Sequence, residues 1–158
     1  MRFIYCLLFL FVASSSSATE LVGSSDRLAF WQKIQGNWRG SCQPNKNVKT
    51  GYHITKIKVS FTHFNVTTNK YASDKCLKLR SSHTASYKYV LGEPEKSADG
   101  SAVWTIDFLQ EASDSQAVPL TPKNIILVAG GELYLGHSRA IPDGKRLKRL
   151  DRKNFLTR

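Results

Sequence analysis

Lys56-Ile57-Lys58-Val59-Ser60-Phe61 alternates polar and apolar residues with a period of two. That period sends Ile57, Val59 and Phe61 to one face of an extended chain and Lys56, Lys58 and Ser60 to the other, as in a half-buried strand. Reading outward, Phe64 to Tyr71 is expected to return antiparallel to it, and Trp38 to Cys42 reads as the strand before, across the loop Pro44 to Thr50. Cys76 to Arg80 and Ser86 to Leu91 read as two further strands, the second closed by Gly92 and Pro94. Asp99-Gly100 is a turn signal. After it Ala102, Trp104, Ile106 and Phe108 share one face, with Val103, Thr105, Asp107 and Leu109 opposite. Residues 111–123 read as a loop holding Pro119 and Pro122. Ile125 to Val128 and Leu133 to Leu135 then flank Ala129-Gly130-Gly131-Glu132 as a hairpin. The tail from Ile141 carries a Pro142-Asp143-Gly144 turn and a last strand. About eight short strands with turns between them make the chain all-β, an antiparallel barrel or sandwich.

The N-terminus follows a different rule. Arg2 precedes an apolar run of ten, Phe3 to Val12, and Ala13 to Ala18 offers small residues with Ser16 and Ala18 at the −3 and −1 positions. This is the three-part secretory pattern, and the run is shorter than the roughly 20 apolar residues of a membrane span. The expectation is a signal peptide over 1–18 and one domain over 19–158, exported to the periplasm or secreted. Residues 19–25 read as a polar lead-in, and Ser25 or Asp26 as the cap of a brief helix in which Leu28, Trp31 and Ile34 recur up to Gly36. Removal of the signal leaves two cysteines, Cys42 and Cys76, with no C-x-x-C spacing. In an oxidising compartment an isolated pair is a disulfide before it is a metal or redox site.

The chain carries 23 basic and 12 acidic residues, and the imbalance is local. Lys33 to Arg80 holds ten bases and one acid, Gly92 to Gln116 six acids and one base, and the segment from His137 eight bases and two acids. Such a surplus favours anionic partners. Lys56, Lys58, Lys78 and Arg80, with Lys145, Arg146, Lys148, Arg149, Arg152 and Lys153, form one basic face if the early strands and the tail lie side by side.

Catalytic patterns are scarce. His53, His63, His83 and His137 are scattered singly without H-E-x-x-H spacing, although His53 and His63 could meet across two strands. No G-x-S-x-G elbow activates a serine, and Asp107 reads as an outward residue of its strand. Asn65-Val66-Thr67 is a glycosylation sequon. No catalytic residue, metal or cofactor is expected, and no sequence-specific nucleic-acid motif is found.

Gly36-Asn37-Trp38 after a helical turn resembles the opening motif of lipocalins. In that family the Trp closes the barrel floor and stacks with an Arg from near the chain end, by cation–π attraction. The resemblance implies a lipocalin-like barrel of about eight strands with a short N-terminal helix. It makes Gly36 and Trp38 structural, with Arg149 or Arg152 as the stacking partner and Arg139 behind them. Gly-x-Trp together with the two cysteines, over Gly36 to Leu109, is also similar to the extracellular domain of APCDD-type proteins, a barrel thought to hold a lipid chain. The functional expectation is a monomeric, non-catalytic binder of a hydrophobic small molecule or acyl chain. Its pocket would be lined by Trp104, Phe108, Tyr87, Tyr89 and Phe61. The alternative is a basic-surface protein that meets an anionic polymer or protein.

Overall fold

The computed structural model describes residues 18–44, 51–114, 117, 119–137 and 144–158, with residues 18–24 by backbone alone. Residues 1–17, which hold all but the last residue of the expected signal segment, most of the Pro44 to Thr50 loop, Arg139 and the Pro142-Asp143 pair lie outside the described residues. The described residues form one helix and nine strands: α1 Ala18–Ile34, β1 Gly36–Gly40, β2 Gln43–Pro44, β3 Tyr52–Val59, β4 His63–Tyr71, β5 Leu79–Lys96, β6 Ala102–Ser113, β7 Lys123–Ala129, β8 Glu132–Leu135 and β9 Leu156–Thr157.

All strand pairs are antiparallel, in the order β1-β9-β8-β7-β6-β5-β4-β3-β2. A further pairing of β1 with β3, Trp38 opposite Ile57 and Arg39 opposite Lys56, closes eight of the strands into a barrel. Closure leaves no unpaired edge within that ring. The short β2 adds to the outer rim of β3.

The alternation that decides the fold survives in place. Ile57 and Val59 are buried while Lys56 and Lys58 are exposed, and the same holds for Ile106 and Phe108 against Asp107 and Leu109. Gly130 and Gly131 both take positive φ in the β7–β8 hairpin, as the turn requires.

Four expectations need correction. Phe61 continues the period-two pattern but lies beyond the end of β3, in the turn to β4, and is exposed, with its ring edge-on to Trp31. Cys76–Arg80 and Ser86–Leu91 are not separate strands, because β5 runs unbroken from Leu79 to Lys96. Gly92 and Pro94 fall where its register with β6 shifts, so they bend the strand without ending it. The segment read as a polar lead-in is helical, since α1 begins at Ala18. No proline interrupts it, and Glu20, Leu21 and Ala29 favour helix. The buried face of α1 is Phe30 and Ile34, four residues apart, while Leu28 is exposed.

α1 plugs one end of the barrel. Phe30 stacks on Trp104 with centroids 5.2 Å apart. Trp31 Nε1 donates to Tyr89 Oη at 2.5 Å, and Tyr89 Oη donates in turn to the Ser60 carbonyl at 2.8 Å. The half of the barrel above the helix is packed with Phe64, Tyr87, Tyr89, Leu91, Ile106 and Phe108, whose aromatic rings sit 4.9–6.0 Å from one another.

Candidate functional site

The floor is built around Trp38. Gly36 enters β1 at φ +117°, a conformation open to glycine, and this directs Trp38 inward to 2% exposure. Its indole Nε1 donates to the Ile34 carbonyl at 2.7 Å, tying the strand to the helix end. The guanidinium over the ring is that of Arg158, 4.7 Å from the centroid. The same group donates to the Lys33 and Gln35 carbonyls at 2.8 and 3.0 Å, satisfying orphan acceptors at the C-terminal end of α1. Arg149 and Arg152 do not take this place. Arg152 lies over the Tyr134 ring at 5.0 Å and pairs with Asp99 at 2.9 Å. The Arg149 backbone carbonyl accepts from His137 N. The tail crosses β6–β8 before β9 returns beside β1, so the residue that reaches Trp38 is the one past β9.

Three of the five predicted lining residues belong to the packed half. Tyr87, Tyr89 and Phe108 are 1%, 6% and 7% exposed and pack on Phe64 and each other. Trp104 is held against Phe30, and Phe61 is outside. Burial by neighbouring rings pushes the Tyr89 phenol above its ordinary pKa, offset in part by the Trp31 hydrogen bond.

The open space lies at the other end, away from the helix. A cleft of about 210 Å³ is lined by Gly40, Ser41 and Gln43 after β1, His53, Thr55 and Ile57 of β3, Val66 of β4, Pro119 to Thr121, Asn124, Leu135 and Gly136, and the tail from Asp151 to Leu156. None of the five predicted lining residues touches it. Tyr87 nevertheless shapes it from below, because its hydroxyl accepts from Leu120 N at 3.0 Å and holds the β6–β7 connection over the barrel.

Three groups give the cleft its polarity. Asn124 is 2% exposed, and its Oδ1 accepts from Ile125 N and Gly136 N, both at 2.8 Å. Asn124 also lines the cleft. The approach of Gly136 is close: a Cβ there would sit 2.6 Å from Asn124 Oδ1 and 2.7 Å from Leu147 Cβ. Half-buried His53 has its pKa pushed down by loss of hydration, so the imidazole is neutral at pH 7. Asp151 is raised by burial, but hydrogen bonds from Asn154, Lys153 N and His137 outweigh this and hold it below the usual carboxylate range. Arg146 secures the wall beneath by donating to the Ile106 and Asn124 carbonyls at 3.2 and 2.8 Å and pairing with Asp107 at 2.6 Å. Asp107 is thus outward, as its alternation implies.

His53 and His63 do not meet. They lie at opposite ends of the β3–β4 hairpin, His53 opposite Lys70 and His63 opposite Lys88. His63 instead bridges Thr62 Oγ1 at 2.7 Å and Glu111 at 2.9 Å, and Lys88 pairs with the same carboxylate at 2.7 Å. The Lys88 bond is the main reason Glu111 titrates below its ordinary value. This network is on the outer surface. No group of three His, Cys, Asp or Glu placed for a metal occurs among the described residues.

Cys42 and Cys76 are bonded, with Cα atoms 6.0 Å apart. The bond ties the segment after β1 to the β4–β5 connection, next to the rim of the cleft.

Of the polar residues lining the cleft, Asn124 was passed over by sequence reasoning, and His53 was weighed only as a partner of His63. Asn124 had a signal, a lone amide opening the run Ile125-Ile126-Leu127-Val128, where an unpaired polar group would be costly. No protein-family model, no curated protein and no solved structure matches the chain. The fold and the cleft therefore define it as a small closed antiparallel barrel, plugged by a helix at one end and open at the other.

Proposed function

We propose that the chain is an exported, monomeric, non-catalytic binding protein of lipocalin-like build, whose open end takes one small, mainly apolar molecule. The observation that carries this is the cleft itself. It combines apolar walls (Ile57, Val66, Leu120, Leu135 and Leu156) with a few fixed polar groups, the usual composition of a small-molecule site. A dry apolar cavity of about 150 Å³ holds benzene, so about 210 Å³ suits a ring compound of roughly ten heavy atoms. The aromatic packing below it favours such a ligand over a long acyl chain. The Nδ2 of Asn124 would donate to a carbonyl or hydroxyl on the ligand. The stack of Arg158 on Trp38 beside Gly36 supports the lipocalin likeness, and the APCDD-type likeness rests on the same Trp and the disulfide. That disulfide and the N-terminal pattern support export.

At about 0.5 kcal/mol per heavy atom such a ligand would bind with a Kd of a few tenths of a millimolar. Isothermal titration calorimetry with indole and with palmitate tests the reading. Indole is expected to bind at one site, palmitate not at all, and Leu135→Trp, which fills the cleft, to abolish the indole signal. Indole binding that survives Leu135→Trp, or palmitate binding tighter than indole, would refute it.

A further inference from the structure

We propose that the outer wall of β1, β3 and β4 is a groove for an extended anionic glycan, a sulfated or uronate-containing chain, independent of the cleft. The groove, about 540 Å³, is lined by Asn37, Arg39, Lys56, Lys58, Asn65, Thr67 and Arg158 around Trp38 and Ile57. The strand register builds it as two outward rows. Arg39 stands opposite Lys56, and Lys56 opposite Thr67; Asn37 stands opposite Lys58, and Lys58 opposite Asn65. Four cations thus share a shallow trough with amide and hydroxyl side chains between them.

Two observations separate this wall from an ordinary solvated face. First, Arg39 directly across from Lys56 is a like-charge pair, which costs a sheet stability unless an anion lies between them. Second, four of the six carboxylates of the acidic stretch are paired elsewhere. Glu93 pairs with Arg27, Asp99 with Arg152, Asp107 with Arg146, and Glu111 with Lys88 and His63. Arg39, Lys56, Lys58 and Arg158 form no ion pair among the described residues, and all four line the one groove. Arg146 and Arg152, counted with this face from the sequence, are spent on those internal pairs.

The lining chemistry selects the polyanion. Single-stranded nucleic acid is held by base stacking on exposed aromatic rings. The groove's one aromatic, Trp38, is 2% exposed and covered by Arg158. A membrane surface would call for apolar side chains projecting from the wall, and the outward residues of the two rows are polar or charged. Sulfate and carboxylate groups interspersed with hydroxyls match cations interleaved with Asn37, Asn65 and Thr67. Asn65 also belongs to the sequon, so the test uses protein from a bacterial host that adds no N-glycan.

Heparin hexasaccharide is titrated against the folded protein over a range of sodium chloride concentrations. Binding is expected with log affinity falling linearly in log salt. Lys56→Gln with Lys58→Gln is expected to lower affinity at least tenfold and flatten that slope. Lys145→Gln with Lys148→Gln, on the exposed tail, should change it less than twofold. No variant should melt below the wild type, since the replaced side chains are exposed, and relief of the Arg39–Lys56 repulsion should raise the melting temperature of the Lys56→Gln pair. Absence of heparin binding at low salt would overturn the proposal. So would equal losses in the two double variants, which would reduce the effect to net charge. An equally charged single-stranded oligonucleotide binding as tightly as heparin would overturn it in favour of nucleic acid.

Discussion

Replacing Arg158 by Ala should destabilise the barrel although the residue is exposed, because one guanidinium joins three elements. It stacks on Trp38 at 4.7 Å and donates to the Lys33 and Gln35 carbonyls at 2.8 and 3.0 Å. A cation–π contact at an exposed site contributes about 0.5–1 kcal/mol. A cation at a helix C-terminus adds about 0.3–1 kcal/mol. Solvent screening keeps the total near 1–2 kcal/mol. Urea unfolding followed by tryptophan fluorescence reads this as a midpoint lowered by about 0.5–1 M with an unchanged slope. Arg158→Lys should recover part of the loss, since it keeps the charge but not the planar fork. Arg149→Ala is the control and should stay within about 0.5 kcal/mol of wild type. An Arg158→Ala loss no larger than that of Arg149→Ala would refute the assignment of the floor contact.

Three further outcomes follow from the geometry. Gly136→Ala should cost about 1–3 kcal/mol in the same assay, because the new methyl collides with Asn124 and Leu147; a loss under about 0.5 kcal/mol would show that the rim yields freely. Replacing Cys42 and Cys76 together by Ser should cost about 3–4 kcal/mol, from the chain entropy of opening a link 34 residues apart in sequence, and a midpoint unchanged from wild type would contradict it. Stability should fall on acidification in two stages. The folded state disfavours protonated His53, so stability is full above pH 6.5 and declines below it; Glu111, Asp99 and Asp151, whose folded pKa values are depressed, add a second decline below about pH 4.5. His53→Gln should remove the first stage from a pH series of melting temperatures, and a first stage that persists in it would reassign that step.

What the sequence disclosed was the part set by neighbouring residues. Alternation placed Ile57, Val59, Ile106 and Phe108 inward, and paired glycines marked the β7–β8 turn. The period could not say where a strand stops, so Phe61 was counted with a face that ends at Val59. Nor could Gly92 and Pro94 announce a bend instead of an end, since β6 supplies the pairing that carries β5 past them. The arginine on Trp38 depends on the path of the tail, which no local pattern encodes. The cleft was least legible of all. Its walls are Gly, Thr, Asn and Leu side chains from several separate segments, and only barrel closure through β1 and β3 brings them together. Aromatic residues drew attention as lining because of their size, and the same size made them the filling of the helix-plugged half.

The central claim, a ligand site at the open end above a packed floor, is tested most directly by two-dimensional amide NMR of isotopically labelled protein during titration with indole. The account predicts shift changes centred on Gly40, Thr55, Thr121, Asn124 and Gly136, with Tyr89, Phe64 and the α1 amides unmoved. Changes centred on Tyr89, Phe108 and Trp104 would mean that the floor opens to admit ligand, and would contradict it.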